Sequence, residues 1–283
     1  FERSVYCLKA YLMLEDGSVY EGTARGDFKE TACEIVFNTS MTGYVEILTD
    51  PSYAGQGVVM TYPMIGNYGI SREDFESERL QPSAFIVHEL SSDPSNFRCT
   101  DTIENLLKEY NIPCISGVDT RAVVKKLRES GTMRGVLTSD IGDRERLMDV
   151  IKSFRQIDLV GSVTAKQTKV YGEENTGAEI ALMDFGTKRN IINNLVKRNC
   201  IVTVYPSFTS ADEIIKTSPD GIMLSNGPGD PSECVDIIKE IKKLYDYGIP
   251  TFAICLGHQL MALANGGETE RMKYGHRGAN HPV

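Results

Sequence analysis

From about residue 180 the chain repeats one pattern: a short apolar or β-branched run, a turn, then apolar residues at helical spacing. "EIALMDF" (179–185) precedes "TKRNIINNLVKRN" (187–199), in which Ile191, Ile192, Leu195 and Val196 share a helical face. "CIVTVYP" (200–206) precedes "SADEIIKTS" (210–218), where Ser210 stands as a helix cap three residues before Glu213. "GIMLS" (221–225) passes through the turn "NGPGDP" to "ECVDIIKEIKKLYDYG" (233–248), for which Ser232 is the expected cap. "IPTFAI" (249–254) then runs through Cys255 into "LGHQLMALAN" (256–265). Short buried strands alternating with helices build βα units, a parallel sheet with helices on both faces. In such sheets ligands bind beyond the C-terminal ends of the strands. Both "NGPGDP" and Cys255 occupy that kind of loop.

The first 165 residues follow another pattern. "KAYLMLEDGSVYEGTARG" (9–26) reads as a β-hairpin turning at Asp16-Gly17. "EIVFNTS", "GVVMTYP" and "AFIVHEL" are further strand candidates, separated by turns bearing Gly and Pro. Helical spacing appears in "TIENLLKEYN" and in "DTRAVVKKLRES", the latter capped by Asp119 or Thr120. The polar stretch "AKQTKVYGEENTGAE" (165–179) lacks periodicity and reads as a linker. The expected organisation is a strand-rich domain over 1–164, a linker over 165–179, and an α/β domain over 180–283.

Composition narrows the function classes. The chain has 283 residues and a formal net charge of −9, with no long basic run, which argues against nucleic acid as a partner. No apolar run approaches bilayer-spanning length, and the N-terminal stretch has no signal-peptide character, which points to the cytosol and away from a membrane. Seven scattered cysteines (7, 33, 99, 114, 200, 234, 255) contain no C-x-x-C pair, so neither a disulfide framework nor a metal site is expected.

Cys255 has the local setting of a nucleophile elbow. The strand 249–254 precedes it, Ala253 and Gly257 are small residues two positions to either side, and a helix begins at once. A helix N-terminus favours the thiolate, and the N–H of Leu256 is placed to meet an oxyanion. A thiol buried at a strand end fits the same pattern equally well. The backbone N–H groups of Gly227 and Gly229 suit an anion or a developing oxyanion, while a plain βα turn with Asp230 or Ser232 as cap is the alternative. His258 shares the helix of Cys255 and reads as a structural neighbour, because an activating His normally comes from another element. His88 reads as a core histidine, His276 as a surface one, and His281 has no acid after it.

Together, "FAICLGHQLMALA" and "DGIMLSNGPGDP" resemble the class I, triad-type glutamine amidotransferases. The segment 34–70 ("EIVFNTSMTGYVEILTDPSYAGQGVVMTYPMIGNYGI"), "SNFR" and "GVDTRAVVKKLRESG" narrow the resemblance to the small subunit of carbamoyl-phosphate synthase, from about residue 9 to 283. The resemblance implies a flavodoxin-like amidotransferase domain preceded by a swivelling β/β/α domain that docks on a large subunit. It implies that Cys255 attacks the side-chain amide of glutamine, giving a thioester and ammonia. The ammonia would pass to the large subunit, which uses ATP, Mg and bicarbonate to make carbamoyl phosphate for pyrimidine and arginine synthesis. It implies an oxyanion hole at Leu256 and Gly227, and glutamine contacts from Ser52, Gly227, Gly229, Leu256 and Gln259. The chain itself would need no cofactor and no metal.

The resemblance also implies residues that are not in this sequence. The family's Asn-His-Gly segment, and the His-Pro-Glu motif that supplies the triad base and its carboxylate, find no match here, and "HPV" (281–283) lacks the acid. The amidotransferase domain is therefore expected to be incomplete and the chain alone poorly active. An amidotransferase serving anthranilate or GMP synthesis would lack the segment "NTSMTGYVEILTDPSY". A non-catalytic subunit would have replaced Cys255, and a free thiol hydrolase would need neither the first domain nor a partner.

Overall fold

The computed structural model describes residues 8–277, and His281 lies outside them. Two compact units divide the described chain: residues 8–49, 55–155 and 271–277 form one, and residues 50–54 and 156–270 the other.

The first unit is built on a closed barrel. Its strands are β1 (Lys9–Leu14), β2 (Val19–Gly26), β3 (Thr31–Asn38), β4 (Gln56–Met60), β6 (Ala84–Ile86), β8 (Pro113–Ser116) and β9 (Met133–Thr138), in the order β1-β2-β8-β6-β4-β3-β9. The short strands β5 (Met64–Ile65) and β7 (Glu89–Leu90) form a separate parallel pair. The hairpin turns at Asp16-Gly17 as expected, with Gly17 at φ +84° and its N–H on Leu14 O. Barrel closure comes from β1 against β9, Tyr11 opposite Thr138 through Leu14 opposite Gly135. Leu12, Leu14, Ile35, Val59, Ile86, Ile115 and Leu137 are buried in its main core. The unit also carries α1 (Tyr44–Thr49), α2 (Ile103–Glu109), α3 (Thr120–Ser130) and α4 (Arg144–Ser153). Asp119, not Thr120, caps α3, accepting from Ala122 N at 2.9 Å. His88 is exposed just beyond β6 with Nδ1 3.1 Å from Val118 O, so it is satisfied but is not a core residue.

The second unit holds the α/β repeat: α5 (Leu159–Val163), β10 (Lys169–Tyr171), β11 (Glu179–Asp184), α6 (Arg189–Val196), β12 (Ile201–Pro206), α7 (Ala211–Lys216), β13 (Gly221–Leu224), α8 (Val235–Tyr247), β14 (Thr251–Ala253) and α9 (Leu256–Ala264). The sheet order is β10-β12-β11-β13-β14. All pairs among β11 to β14 are parallel, and β10 runs antiparallel at one edge. The parallel strands thus read 2-1-3-4, and the order reverses direction between β11 and β13, where open α/β sheets take their ligands. Apolar residues of α6 cover one face (Leu182, Val202, Val204, Met223 with Ile192), while α7, α8 and α9 cover the other. Ser210 caps α7 as expected, accepting from Glu213 N.

Besides His88, two local readings are corrected. Ser232 does not cap α8. Pro231 starts a separate 3-10 turn capped by Asp230, whose Oδ1 accepts from Ser232 N and Oγ, and α8 begins after Cys234 with no side-chain cap. The stretch 165–179, read from composition as a linker, carries β10 and lies within the second unit.

Candidate functional site

The turn from β14 to α9 is strained at a single residue. Cys255 has φ +50° and ψ −111°, a region that side-chain-bearing residues avoid at a cost of about 1–3 kcal/mol. Its neighbours explain how the strain is held. Gly257 N donates to Ser225 O and to Ile254 O at 3.0 Å each, pulling the first turn of α9 onto the end of β13. A Cβ on Gly257 would sit 2.5 Å from Leu224 O, so this approach requires glycine. Leu256 is buried and anchors the helix in the core. As the first helical residue it has an N–H with no partner in its own helix.

Cys255 is exposed, which removes the reading of it as one more buried thiol. Three of the other cysteines are held in the thiol form by burial. Burial pushes the Cys33 thiol up to about 12 and the half-buried Cys234 thiol, beside Glu233, Asp158 and Asp230, up to about 11. Burial raises Cys114 further still. Those groups stay protonated and inert. Exposed His258 and Gln259 lie three and four residues beyond Cys255, one turn along the same face of α9. His258 is the one histidine of the second unit among the described residues.

The "NGPGDP" turn leaves β13 next to this helix. Gly227 packs so closely that a Cβ there would lie 2.3 Å from Phe185 O and 2.8 Å from Leu256 Cδ2, which places its backbone beside both the β11 loop and the start of α9. Gly229 has φ +91°. Just before them the turn is fixed by Asn226, which is buried and which the sequence reading did not single out. Its Nδ2 donates to Gly186 O at 2.9 Å and to Ser52 Oγ at 3.0 Å, and its Oδ1 accepts from Lys188 N at 3.1 Å.

Ser52 therefore reaches this site although it lies far away in sequence. The turn 50–54 clusters with the second unit. Asp50 caps it by accepting from Ser52 N at 2.9 Å, and the same buried carboxylate pairs with Lys188 Nζ at 2.8 Å. The structure thus brings Ser52 to Asn226, beside Gly227, and sets Cys255, Leu256 and Gln259 on the adjoining turn and helix. Asn226, Lys188 and Asp50 are the participants that local pattern did not flag. Their signal is a polar run at the ends of adjacent parallel strands, which becomes meaningful only once strand order is known.

An exposed thiol on a strained turn beside backbone N–H groups suits attack on an amide or ester carbonyl. Comparison with known proteins narrows the class. Residues 12–137 match the model of the carbamoyl-phosphate synthase small chain, CPSase domain, and residues 181–283 match that of glutamine amidotransferase class-I. The carbamoyl phosphate synthase small chain of Clostridium perfringens (strain 13 / Type A) is 49% identical over 277 residues, 98% of this chain and 78% of that protein. The protein of the same name from Listeria monocytogenes serotype 4b (strain F2365) is 47% identical over 276 residues, covering 97% of this chain and 75% of its own length. That from Bacillus cereus (strain ATCC 14579) is 48% identical, covering 98% and 75% respectively. With both units matched in order, the chain belongs to the carbamoyl-phosphate synthase small-chain family, and its second unit is that family's class-I glutamine amidotransferase domain.

Proposed function

We propose that Cys255 is the nucleophile that releases ammonia from glutamine, for use by a large chain in carbamoyl phosphate synthesis. The observation that carries the assignment is the exposed thiol held at φ +50° on the β14–α9 turn, with Gly257 pressed on Leu224. The thiolate adds to the side-chain amide carbon, and the oxygen takes up charge opposite the N–H groups of Leu256 and Gly227. Collapse expels ammonia, which must gain a proton, and leaves a γ-glutamyl thioester. Water then attacks the thioester and frees glutamate and the thiol. Ser52, Gly229 and Gln259 orient the substrate in this reading.

Both halves of the cycle need a group that takes a proton from the nucleophile and returns it to the leaving group. His258, three residues from Cys255 on one helix, is poorly placed for that role. We therefore assign the base and its carboxylate to a His and a Glu not in this sequence, and expect the 283-residue polypeptide alone to hydrolyse glutamine slowly. In the same reading the second unit is a flavodoxin-like domain. The stretch 1–164, most of which lies in the first unit, is a swivelling β/β/α domain that docks on the large chain in the cytosol, while ATP, Mg and bicarbonate serve the large chain only.

The test is mass spectrometry after treatment with diazo-oxonorleucine, a glutamine-mimicking electrophile, with glutamine as competitor. Modification confined to Cys255 and suppressed by glutamine is expected. Modification at another cysteine would sink the mechanism.

A further inference from the structure

Asp184 ends the central strand β11, is 7% exposed, and pairs its carboxylate with neutral donors on both oxygens. Oδ1 accepts from Gly186 N at 2.9 Å, Thr187 N at 2.7 Å and Thr187 Oγ1 at 2.7 Å, and Oδ2 accepts from Ala165 N at 2.7 Å. Burying a carboxylate is costly unless several strong hydrogen bonds hold it. Here all of those bonds shape one short loop, residues 185–188, or tether the chain that enters beside it. That loop is the surface the candidate site is assembled on. Phe185 O abuts Gly227, Gly186 O and Lys188 N both bind Asn226, and Asn226 binds Ser52. Gly186, at φ +124°, is wedged so that a Cβ would meet Pro51 and Val163 at 3.0 Å and Pro228 at 3.2 Å. The Ser52 turn and the Gly227 turn therefore both rest on backbone that Asp184 holds.

We propose that Asp184 is a positioning residue for glutamine, setting Ser52 and Gly227 through the 185–188 loop without touching substrate. The inference rests on the reading of Cys255 as the glutamine nucleophile. It also explains why the residue is Asp. Every partner is a donor, so an Asn could keep the three bonds of Oδ1 but would turn its NH2 group against Ala165 N–H. Asp184→Asn should then lose stability yet retain the loop, whereas Asp184→Ala should lose the loop.

The experiment compares labelling of Cys255 by diazo-oxonorleucine, which must be recognised as glutamine, with labelling by iodoacetamide, which need not be. In Asp184→Ala the half-saturating concentration of the glutamine mimic is expected to rise about tenfold while the iodoacetamide rate stays within about twofold. In Asp184→Asn the half-saturation should stay near the wild-type value despite a lower Tm. A folded Asp184→Ala protein with wild-type half-saturation, or equal loss with both reagents, would overturn the proposal. If Asp184→Ala does not fold, Thr187→Val removes one of the three Oδ1 donors, and an unchanged half-saturation there overturns it equally. A wild-type protein whose Cys255 takes iodoacetamide but not the glutamine mimic would refute the nucleophile assignment itself, and the positioning role with it.

Discussion

Asn226 Nδ2 donates to Ser52 Oγ over 3.0 Å, joining two residues 174 positions apart. The bond leaves the Ser52 hydroxyl proton available to a second acceptor, because the oxygen is the accepting atom here. It also makes Asn226 the common partner of three segments, the Ser52 turn, the loop after β11 and its own turn after β13. A buried amide with that many fixed partners acts as a clamp.

Asn226→Ala should therefore weaken glutamine recognition more than it weakens thiol chemistry. The substitution leaves Gly186 O and Lys188 N short of a partner, at a cost of about 1–3 kcal/mol in stability. With Ser52 released, the half-saturating concentration of a glutamine mimic at Cys255 should rise about tenfold, while iodoacetamide labels at nearly the wild-type rate. Titration of both reagents against the purified variant checks this, and an unchanged half-saturation would separate Ser52 from substrate binding.

Cys255→Gly should stabilise the protein and abolish Cys255 labelling together. The φ of +50° is strained for cysteine and open to glycine, so the exchange relieves about 1 kcal/mol or more. Loss of the thiol removes the nucleophile. Cys255→Ser keeps the strain, so its Tm should remain at the wild-type value. Thermal melts of the two variants give the comparison, and equal Tm values would show that the turn is not under strain.

The parallel repeat was legible because each of its strands is an apolar run long enough to stand out and each helix brings one apolar face. Ser210 was correctly placed as a cap for the same local reason. Ser232 was misplaced because Pro231 closes a 3-10 turn first, so Asp230 takes the capping role one turn early. Strand β10 was invisible because three residues at an edge carry no period. Closure of the barrel was equally hidden, since it depends on β1 meeting β9 across most of the first unit. At the site, Cys255 and the Gly227 turn were legible as a strand-turn-helix pattern. Ser52 came only through family resemblance, and Asn226 and Asp184 came only from the fold. A hydrogen bond between strands fixed by topology leaves no trace in local spacing.

Stability should fall in the alkaline range through the buried thiols. Burial raises Cys33 from about 9 to about 12 in the folded state. The unfolded chain therefore loses this proton at a lower pH than the native chain does, and ionisation favours unfolding. The contribution is fully present below about pH 9 and is lost as pH rises toward 12, in the sense that native stability declines with increasing pH. Cys33→Ala removes this component, so its stability should depend less on pH across that window. Urea midpoints measured at pH 8 to 10.5 for the two proteins are the check, and parallel curves would exclude Cys33 as a contributor.

Gly257→Ala and Gly229→Ala separate steric exclusion from backbone strain. At Gly257 an added Cβ would meet Leu224 O at 2.5 Å and Leu224 C at 2.7 Å, both backbone atoms that cannot swing aside. At Gly229 the nearest atoms are those of Leu159 at 3.6 Å, an ordinary contact, but φ is +91°. Gly229→Ala should thus cost about 1–2 kcal/mol through strain alone. Gly257→Ala should cost about 1–3 kcal/mol, or more where α9 cannot move off β13. The two should also differ in reactivity. Forcing α9 away from β13 breaks the Gly257 N–H bond to Ser225 O and tilts the turn that carries Cys255. Iodoacetamide labelling of Cys255 should change in Gly257→Ala and hold in Gly229→Ala. The same labelling rate in both variants would mean that the helix start does not govern the thiol.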